Sequence, residues 1–167
     1  MVTETRNAFF SDDRIYRYYL HVQWDADKQS LVVIGLNPST ADELKDDPTL
    51  RRVKKYAKDM DLGGVLMLNA FAYRSTNPRG LLTVDDPIGP LNTPRNIEMW
   101  ALSVSGLVPV AAWGNNLYKP QLKFREKQLR EIPYLDCFRK TKDGYPEHPL
   151  YLPKELRPIP WNYQMSV

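Results

Sequence analysis

The sequence predicts an α/β protein, a three-layer α/β/α sandwich around a mainly parallel central sheet. Apolar runs of strand length alternate with segments of helical periodicity, and this alternation favours parallel strands joined by right-handed crossovers. The run VLMLNAF at 65–71 is apolar at nearly every position, as expected for a strand that is covered on both faces. Asp47-Pro48 and Thr93-Pro94 are typical of helix starts, with a capping side chain followed by proline.

Five segments have the composition of strands. Residues 14–24 and 30–36 are rich in β-branched and aromatic side chains and flank the polar segment DADKQ. This pattern predicts that the two strands pair as a hairpin. Further strands are predicted at 65–71, 107–113 and 134–138.

Three segments are predicted to form helices. The first follows Asp47 and the second follows Thr93, and both repeat apolar residues at steps of three and four. The third spans 117–132 and is interrupted near its start by Pro120. Residues 74–93 contain three prolines, which predicts a long loop between the central strand and the second helix.

The size and composition are those of one globular domain. A chain of 167 residues can bury a core without disulfide or metal support, so we expect a single domain over 1–167 with a proline-rich tail at about 153–167. No apolar run is long enough to span a membrane, and the N-terminal segment does not resemble a signal peptide. We therefore expect a cytoplasmic protein with no membrane partner.

Cys137 is the only cysteine in the sequence. A single cysteine cannot form an internal disulfide, so we predict a buried structural thiol.

The formal net charge of +3 is unevenly distributed. Residues 119–167 carry ten Lys or Arg against six Asp or Glu. A basic surplus of this kind can contact phosphates, and a solvated helix face explains it equally well.

An acidic cluster precedes the first helix. Asp42, Asp46 and Asp47 have no histidine nearby in the sequence, so helix capping and salt bridges to Arg51 or Arg52 are preferred over metal binding. We predict no metal and no cofactor.

Candidate site residues follow the predicted strands, where ligands bind in open α/β sheets. Asn37 follows the second strand on a backbone restricted by the next proline, and a simple turn asparagine is an equally good interpretation. Asn69 is an amide within an apolar strand, so it needs a partner, either a backbone carbonyl or the edge of a ligand. Gly114 and Asn115 come where a helix start could meet a phosphate or simply be capped.

The two histidines differ in their surroundings. His148 lies in the loop segment EHPLYLP and can act as a general acid or donate to a leaving group, unless it is an ordinary loop histidine. His21 lies in the first predicted hairpin, and we expect it to have a structural role.

Several motifs together resemble a bacterial and phage family described only as a domain of unknown function. The motifs are GLNPST, DDPTLRR, LMLNAFAYRST, AAWGNN and TKDGYPEHPLYL, and they cover most of the chain. Their order is also similar, more distantly, to the uracil-DNA glycosylase superfamily. That order is a Gly-x-Asn-Pro loop, an asparagine-bearing strand, a strand ending in Trp-Gly, and a late His-Pro segment.

The glycosylase resemblance implies a fold and a set of roles. Asn37 would position the hydrolytic water, Asn69 would pair with the edge of a flipped base, and His148 would stabilise the leaving base as an anion. An apolar wedge that fills the gap in the duplex would come from Leu150, Tyr151 or Leu152. The expected base- or ligand-binding set is Gly35, Leu36, Pro38, Ser39, Asn69, Phe71, Tyr73, Gly114 and Asn115.

The sequence departs from the glycosylase pattern at three places. Ser39 replaces the glycine or tyrosine usual after the proline, Leu150 replaces a serine after His-Pro, and Asn37 stands where other branches have a carboxylate. An asparagine can orient water but is a poor general base.

These features lead to three functional hypotheses. The first is a glycosylase-like protein that recognises a nucleobase and hydrolyses an N-glycosidic bond in DNA or a nucleotide. The second is a non-catalytic module that binds a nucleotide or nucleic acid. The third is a protein-interaction module that uses the tail around Trp161 as a polyproline segment.

Overall fold

In a computed structural model, the protein is described over residues 3–39, 44–115 and 120–164. These residues form seven strands and three α-helices. The strands are β1 Thr5–Phe10, β2 Arg17–Gln23, β3 Ser30–Gly35, β4 Gly64–Asn69, β5 Val110–Ala111, β6 Tyr134–Cys137 and β7 Ile159–Tyr163. The helices are α1 Pro48–Asp59, α2 Pro94–Val104 and α3 Pro120–Leu129, with short 3-10 turns at Pro78–Leu82 and Pro149–Tyr151.

The described strands form one mixed sheet in the order β1-β2-β4-β3-β5-β6-β7. The four strands β4, β3, β5 and β6 are parallel to their neighbours within this group, and β1, β2 and β7 pair antiparallel. The prediction of a mainly parallel sheet therefore holds for the centre of the sheet but not for its outer strands.

The predicted hairpin between the first two apolar strands is wrong. Strand β2 pairs with β1 and β4, and β4 separates it from β3. Strand β1 lies at 5–10, in a segment for which no strand was predicted. The α1 crossover places β3 beside β4 in parallel, which leaves the other edge of β4 for β2.

Two apolar clusters lie against the sheet. One contains residues of α1 together with alternate residues of β2, β3 and β4, such as Val33 and Met67. The other contains residues of α2 and α3 with the remaining positions of the central strands, such as Ile34 and Leu68. Strands β3 and β4 are buried at every position, because helices cover both of their faces, as their continuous apolar sequence predicted.

The helix starts agree with the capping signals. The Asp47 carboxylate accepts from Leu50 N at 2.7 Å, and the Thr93 hydroxyl accepts from Asn96 N at 3.1 Å. Helix α3 is described from Pro120, and the start predicted at 117 lies outside the described residues.

The Cys137 thiol is free and buried, as predicted. Among the residues described, no helix is both long enough and apolar enough to cross a bilayer.

The C-terminal tail is part of the sheet. Residues Ile159–Tyr163 form the edge strand β7, antiparallel to β6, so this part of the tail is not the polyproline segment that the interaction hypothesis assumed. The Trp161 ring packs at right angles to the buried Trp113 ring with centroids 5.3 Å apart. The Trp161 indole N–H donates to Gly144 O at 2.9 Å, and the Arg130 guanidinium lies over the ring.

Trp161→Ala should therefore lower the free energy of unfolding by about 2 kcal/mol, less than for a fully buried tryptophan because Trp161 is half-buried. Urea unfolding of the full chain measures this change. Tyr151→Ala is the matched control, since that aromatic side chain is 84% exposed, and it should leave the stability unchanged. A tail that docks weakly would give equal stabilities for the two variants.

Candidate functional site

A cavity of about 510 Å³ opens at the carboxyl ends of β3 and β4. Parallel pairing brings Gly35 and Asn69 into register at these ends. The antiparallel β2 begins at the same edge, where Arg17 N donates to Ala72 O at 2.9 Å. The described residues that line the cavity are Arg17, Leu20, Gly35, Leu36, Asn37, Pro38, Ser39, Lys45, Asp47, Thr49, Leu50, Met67, Asn69, Pro78, Gly114, Asn115, Arg139, Thr141, Glu147, His148, Leu150, Tyr151 and Leu152.

The cavity brings together most of the residues predicted for the site. Asn37, Asn69 and His148 all line it, although they come from three separate parts of the chain. Phe71 and Tyr73 lie elsewhere. Phe71 is fully buried in the apolar cluster on the α2 and α3 face, and Tyr73 packs against that cluster. The other predicted site residues on the cavity wall are Gly35, Leu36, Pro38, Ser39, Gly114, Asn115, Leu150, Tyr151 and Leu152.

Asn37 holds two loops together. Its Nδ2 donates to Ser75 O at 2.8 Å and to Pro38 O at 3.1 Å, and Pro38 O in turn accepts from Ser75 N at 3.0 Å. The amide nitrogen therefore ties the loop after β3 to the loop after β4, which is close to the turn-asparagine interpretation. The oxygen Oδ1 is the part of this side chain that remains for a ligand or water.

Asn69 has an amide nitrogen that no described residue satisfies. The residue is 4% exposed, and its Nδ2 is buried without a hydrogen-bond partner. A Cβ at Gly35 would lie 3.0 Å from Asn69 Oδ1, so glycine at that position makes room for the amide. An unpartnered buried N–H costs about 1–3 kcal/mol. Of the two partners considered for this amide, a backbone carbonyl is not found among residues 3–39, 44–115 and 120–164.

His148 caps the short Pro149–Tyr151 turn. Its Nδ1 accepts from Leu150 N at 3.3 Å, which leaves the proton of the neutral ring on Nε2. Burial lowers the pKa of His148, and the nearby Asp47 carboxylate opposes this shift. The ring is therefore kept neutral, as a donor through Nε2. Gly114 supports this loop, since its φ of +72° suits glycine and its N–H donates to Pro146 O at 2.8 Å.

His21 has surroundings of a different kind. Its Nε2 lies 2.9 Å from the hydroxyl of Ser30, which is buried. Burial lowers the pKa of His21 as well. His21 belongs to β2 and does not line the cavity, in agreement with a structural role.

In the described part of the acidic cluster, the predicted capping is confirmed for Asp47, but the salt bridges are made to residues other than Arg51 and Arg52. The Asp46 carboxylate pairs with Arg6 and with Lys54, the latter at 2.8 Å, whereas the Arg51 guanidinium donates to the Asp46 backbone oxygen. Strand β1, which carries Arg6, was not predicted, so this partner could not be foreseen. Asp42 lies outside the described residues. Asp47 caps α1, and its second oxygen accepts from the Ser39 hydroxyl at 3.3 Å.

The three candidates for an apolar wedge differ sharply in exposure. Leu152 is 4% exposed and belongs to the apolar cluster beneath α1, so it cannot enter a duplex. Tyr151 is 84% exposed at the cavity rim, and its ring lies 6.4 Å from that of His148. Leu150 is half-buried. Tyr151 is the one free to contact a partner.

Among the described residues, seven charged or polar side chains of the cavity were not predicted as site residues, namely Arg17, Lys45, Asp47, Thr49, Arg139, Thr141 and Glu147. Arg17 and Lys45 carry no local signal in the sequence. Arg139 and Glu147 flank a tight turn at Gly144, whose φ is +85°, and the Arg139 guanidinium donates to the Glu147 carboxylate. The Asp-Gly pair in TKDGYPEHP was a signal for this turn, and it could have shown that Glu147 and Arg139 lie side by side.

A comparison with protein families matches residues 17–150 to a family described as a protein of unknown function, DUF1643. The chain belongs to the DUF1643 family. The match begins at Arg17 and ends at Leu150, so it includes nearly the whole cavity wall and leaves out β1 and β7. Membership confirms the resemblance to a domain of unknown function. Comparisons with curated proteins and with solved structures gave no match.

Asn69→Leu should raise the free energy of unfolding of this DUF1643 protein by about 1 kcal/mol. Leucine has the same branched shape and removes the buried N–H that lacks a partner. Asn92→Leu is the matched control, because Asn92 Nδ2 donates to Asn69 O at 3.0 Å. It should lower the stability by about 1–3 kcal/mol. Urea unfolding compares the two, and a loss of stability in Asn69→Leu would show that the amide is satisfied.

Asp47→Asn should lower the pKa of His148 further. The Asp47 charge favours the protonated imidazole, and asparagine removes that charge while it still caps the helix. His21 is the internal control, because its pKa is lowered by burial alone. Proton NMR titration of the two imidazole rings, assigned with His21→Gln, measures both. Parallel shifts of the two rings, or an unchanged His148, would contradict the prediction.

Proposed function

We propose that the cavity binds a nucleobase, carried by a nucleotide or by nucleic acid, and that the protein hydrolyses its N-glycosidic bond. A uracil-DNA glycosylase-like three-layer arrangement is part of this proposal. The observation that carries it is the amide of Asn69, whose Nδ2 is buried at the cavity and finds no hydrogen-bond partner among the residues that the structure describes. An amide presents a donor and an acceptor side by side, which complements the hydrogen-bonding edge of a base.

His148 supports the reaction part of the proposal. A neutral imidazole with its proton on Nε2 can donate to a departing base as negative charge develops on it. Its backbone-bound Nδ1 and lowered pKa favour this form near neutral pH. Stabilisation of the departing base requires an N–H donor, which the neutral ring provides through Nε2, so His148 does not have to be protonated.

Asn37 has a narrower role than the resemblance implies. Because its Nδ2 is bound to Ser75 O and Pro38 O, only Oδ1 can accept from a water. In the proposal it orients the attacking water, and stabilisation of the leaving base provides most of the rate. Asp47 also places a carboxylate at this cavity. Because its oxygens accept hydrogen bonds from Leu50 N and Ser39 Oγ, the proposal gives Asp47 a helix-capping role and no role in the reaction.

Base release tests the reaction. Oligonucleotides that carry uracil or a modified base, in single and double strands, are incubated with the full chain, and free base is measured by chromatography. His148→Gln should reduce release by about 10²-fold, and Asn37→Ala should abolish it. His21→Gln is the matched control and should act as the wild type, since His21 does not line the cavity. The same assay is run on free nucleotides, and no release of base from any oligonucleotide or nucleotide by folded protein would refute hydrolysis.

A non-catalytic binding module is the second candidate, favoured by the use of the Asn37 amide to hold the two loops. Binding without release, weakened by Asn69→Ala but not by Asn37→Ala, would support it. Equilibrium titration with the same oligonucleotides and with free nucleotides separates the two candidates. Asn69→Ala should weaken binding about tenfold in either case, because two hydrogen bonds to the base are lost.

A further inference from the structure

A second concave surface lies on the outer side of helix α3. Its volume is about 460 Å³. Helix α3 and the residue that follows it supply most of the lining, and the loop after β6 supplies an aromatic side chain. The described residues that line it are Lys123, Phe124, Glu126, Lys127, Arg130 and Tyr145. We call this surface the α3 groove.

Helical spacing separates the groove residues from the buried face of α3. Leu122 and Leu129 are buried in the apolar cluster on the α2 and α3 face. Lys123 and Lys127 are four residues apart, and Phe124 precedes Lys127 by three. Side chains at these spacings are neighbours on one face of a helix. The outer face of α3 therefore carries two ammonium groups close to an aromatic ring.

The arginines of this region have roles within the fold. Arg125 is buried and donates through Nε to Ala70 O at 2.7 Å. The Arg130 guanidinium pairs with the Glu126 carboxylate at 2.8 Å and lies over the Trp161 ring. Both arginines thus have partners that hold α3 to the rest of the domain.

The two lysines give the groove a positive charge. Lys123 and Lys127 are both exposed. Among the described residues that line the groove, Glu126 is the only carboxylate, and Arg130 already balances it. Three cations and one carboxylate leave two net positive charges, those of the lysines. Ammonium groups contact phosphates as point charges, without a fixed geometry.

Aromatic rings lie beside these charges. Phe124 is 49% exposed, and Tyr145 is half-buried. A single exposed apolar side chain is ordinary. A groove that combines cations with aromatic rings is the arrangement that binds single-stranded nucleic acid, because bases stack on the rings while the cations contact the backbone. An acidic peptide would pair with the lysines but would not require the rings.

The loop that carries Tyr145 also forms part of the cavity. Thr141 and His148 line the cavity, whereas Tyr145 lines the α3 groove. Thr141 N donates to Tyr145 O at 2.7 Å, and Tyr145 N donates to Thr141 Oγ1 at 3.0 Å. A residue of one site is therefore bonded directly to a residue of the other. A strand with one nucleotide in the cavity can reach the groove with its neighbours.

We infer that the α3 groove binds a single-stranded nucleic-acid segment next to the nucleotide in the cavity. Lys123 and Lys127 contact its phosphates, and one of its bases stacks on Phe124. The groove part of this inference rests on these side chains alone, and the neighbouring nucleotide rests on the proposed function. The natural ligand is then a strand rather than a free mononucleotide.

Fluorescence anisotropy of the full chain with a labelled, unmodified single strand of about twelve nucleotides tests the charges. The double variant Lys123→Gln with Lys127→Gln should reduce the slope of log affinity against log salt concentration by about 1.4, because each phosphate contact to a single strand contributes about 0.7. Lys55→Gln with Lys58→Gln is the matched control. It removes the same charge from exposed positions of α1, on the opposite face of the sheet, and should leave the slope unchanged.

Substitution of the ring tests stacking separately. Phe124→Ala should weaken binding of the same oligonucleotide about tenfold and leave the salt dependence unchanged, because the ring carries no charge. Phe124→Tyr should keep the wild-type affinity, since it retains an aromatic face. Leu102→Ala is the control, at an apolar side chain of α2 that is 67% exposed and lies outside the groove, and it should have no effect.

The outcomes separate this inference from the proposed function. An unchanged salt slope in the lysine double variant, or an unchanged affinity in Phe124→Ala, would overturn the groove site. A glutamate-rich peptide that binds more tightly than the oligonucleotide, with the same dependence on the lysines, would overturn it in favour of an acidic peptide. With the base-carrying oligonucleotides used above, weaker binding in Asn69→Ala but not in the groove variants would leave only the proposed function. The reverse result would support the groove and overturn base binding in the cavity.

Discussion

The parallel pairing of β3 with β4 is the constraint on which the cavity depends. The two strands are in register from Ser30 with Gly64 to Gly35 with Asn69, and every residue in them is buried. A shift by one residue would turn each apolar side chain to the opposite face. This register places Asn69 beside a glycine, where the missing Cβ leaves space for the amide oxygen.

The segment after β4 continues this arrangement with backbone and side-chain bonds. Ala70 N donates to Gly35 O at 2.8 Å, and the buried Arg125 donates through Nε to Ala70 O at 2.7 Å. Burial lowers the pKa of Arg125 to about 10, so it remains charged near neutral pH. These bonds use the backbone of the strand end and leave Asn69 Nδ2 among the buried polar atoms without a hydrogen-bond partner in the described part of the chain. A site held this rigidly can present an amide without reorganisation, at a cost in stability.

Local signals predicted the helices and the buried strands well. Asp47 and Thr93 cap their helices as their sequences indicate, because a cap depends on atoms within three residues. The continuous apolar run of β4 likewise predicted a strand that is covered on both faces, because this signal lies within the residues of the strand itself. The pairing of the strands was harder to predict. The outer strands β1 and β7 have no distinctive composition. The pairing of β2 depends on which edge of β4 is left when β3 has paired with the other edge.

The sequence by itself determined the helices, the central strands and the candidates Asn37, Asn69 and His148, because capping, periodicity and strand-end position are properties of short segments. Only the tertiary structure decided that these three share one cavity, that the Asn37 amide holds a loop, and that Arg17 faces the same space. The side chains that meet there are separated by many residues, and a one-residue bulge in β2 changes the face of Arg17. Such contacts depend on strand register and packing, which no short segment encodes.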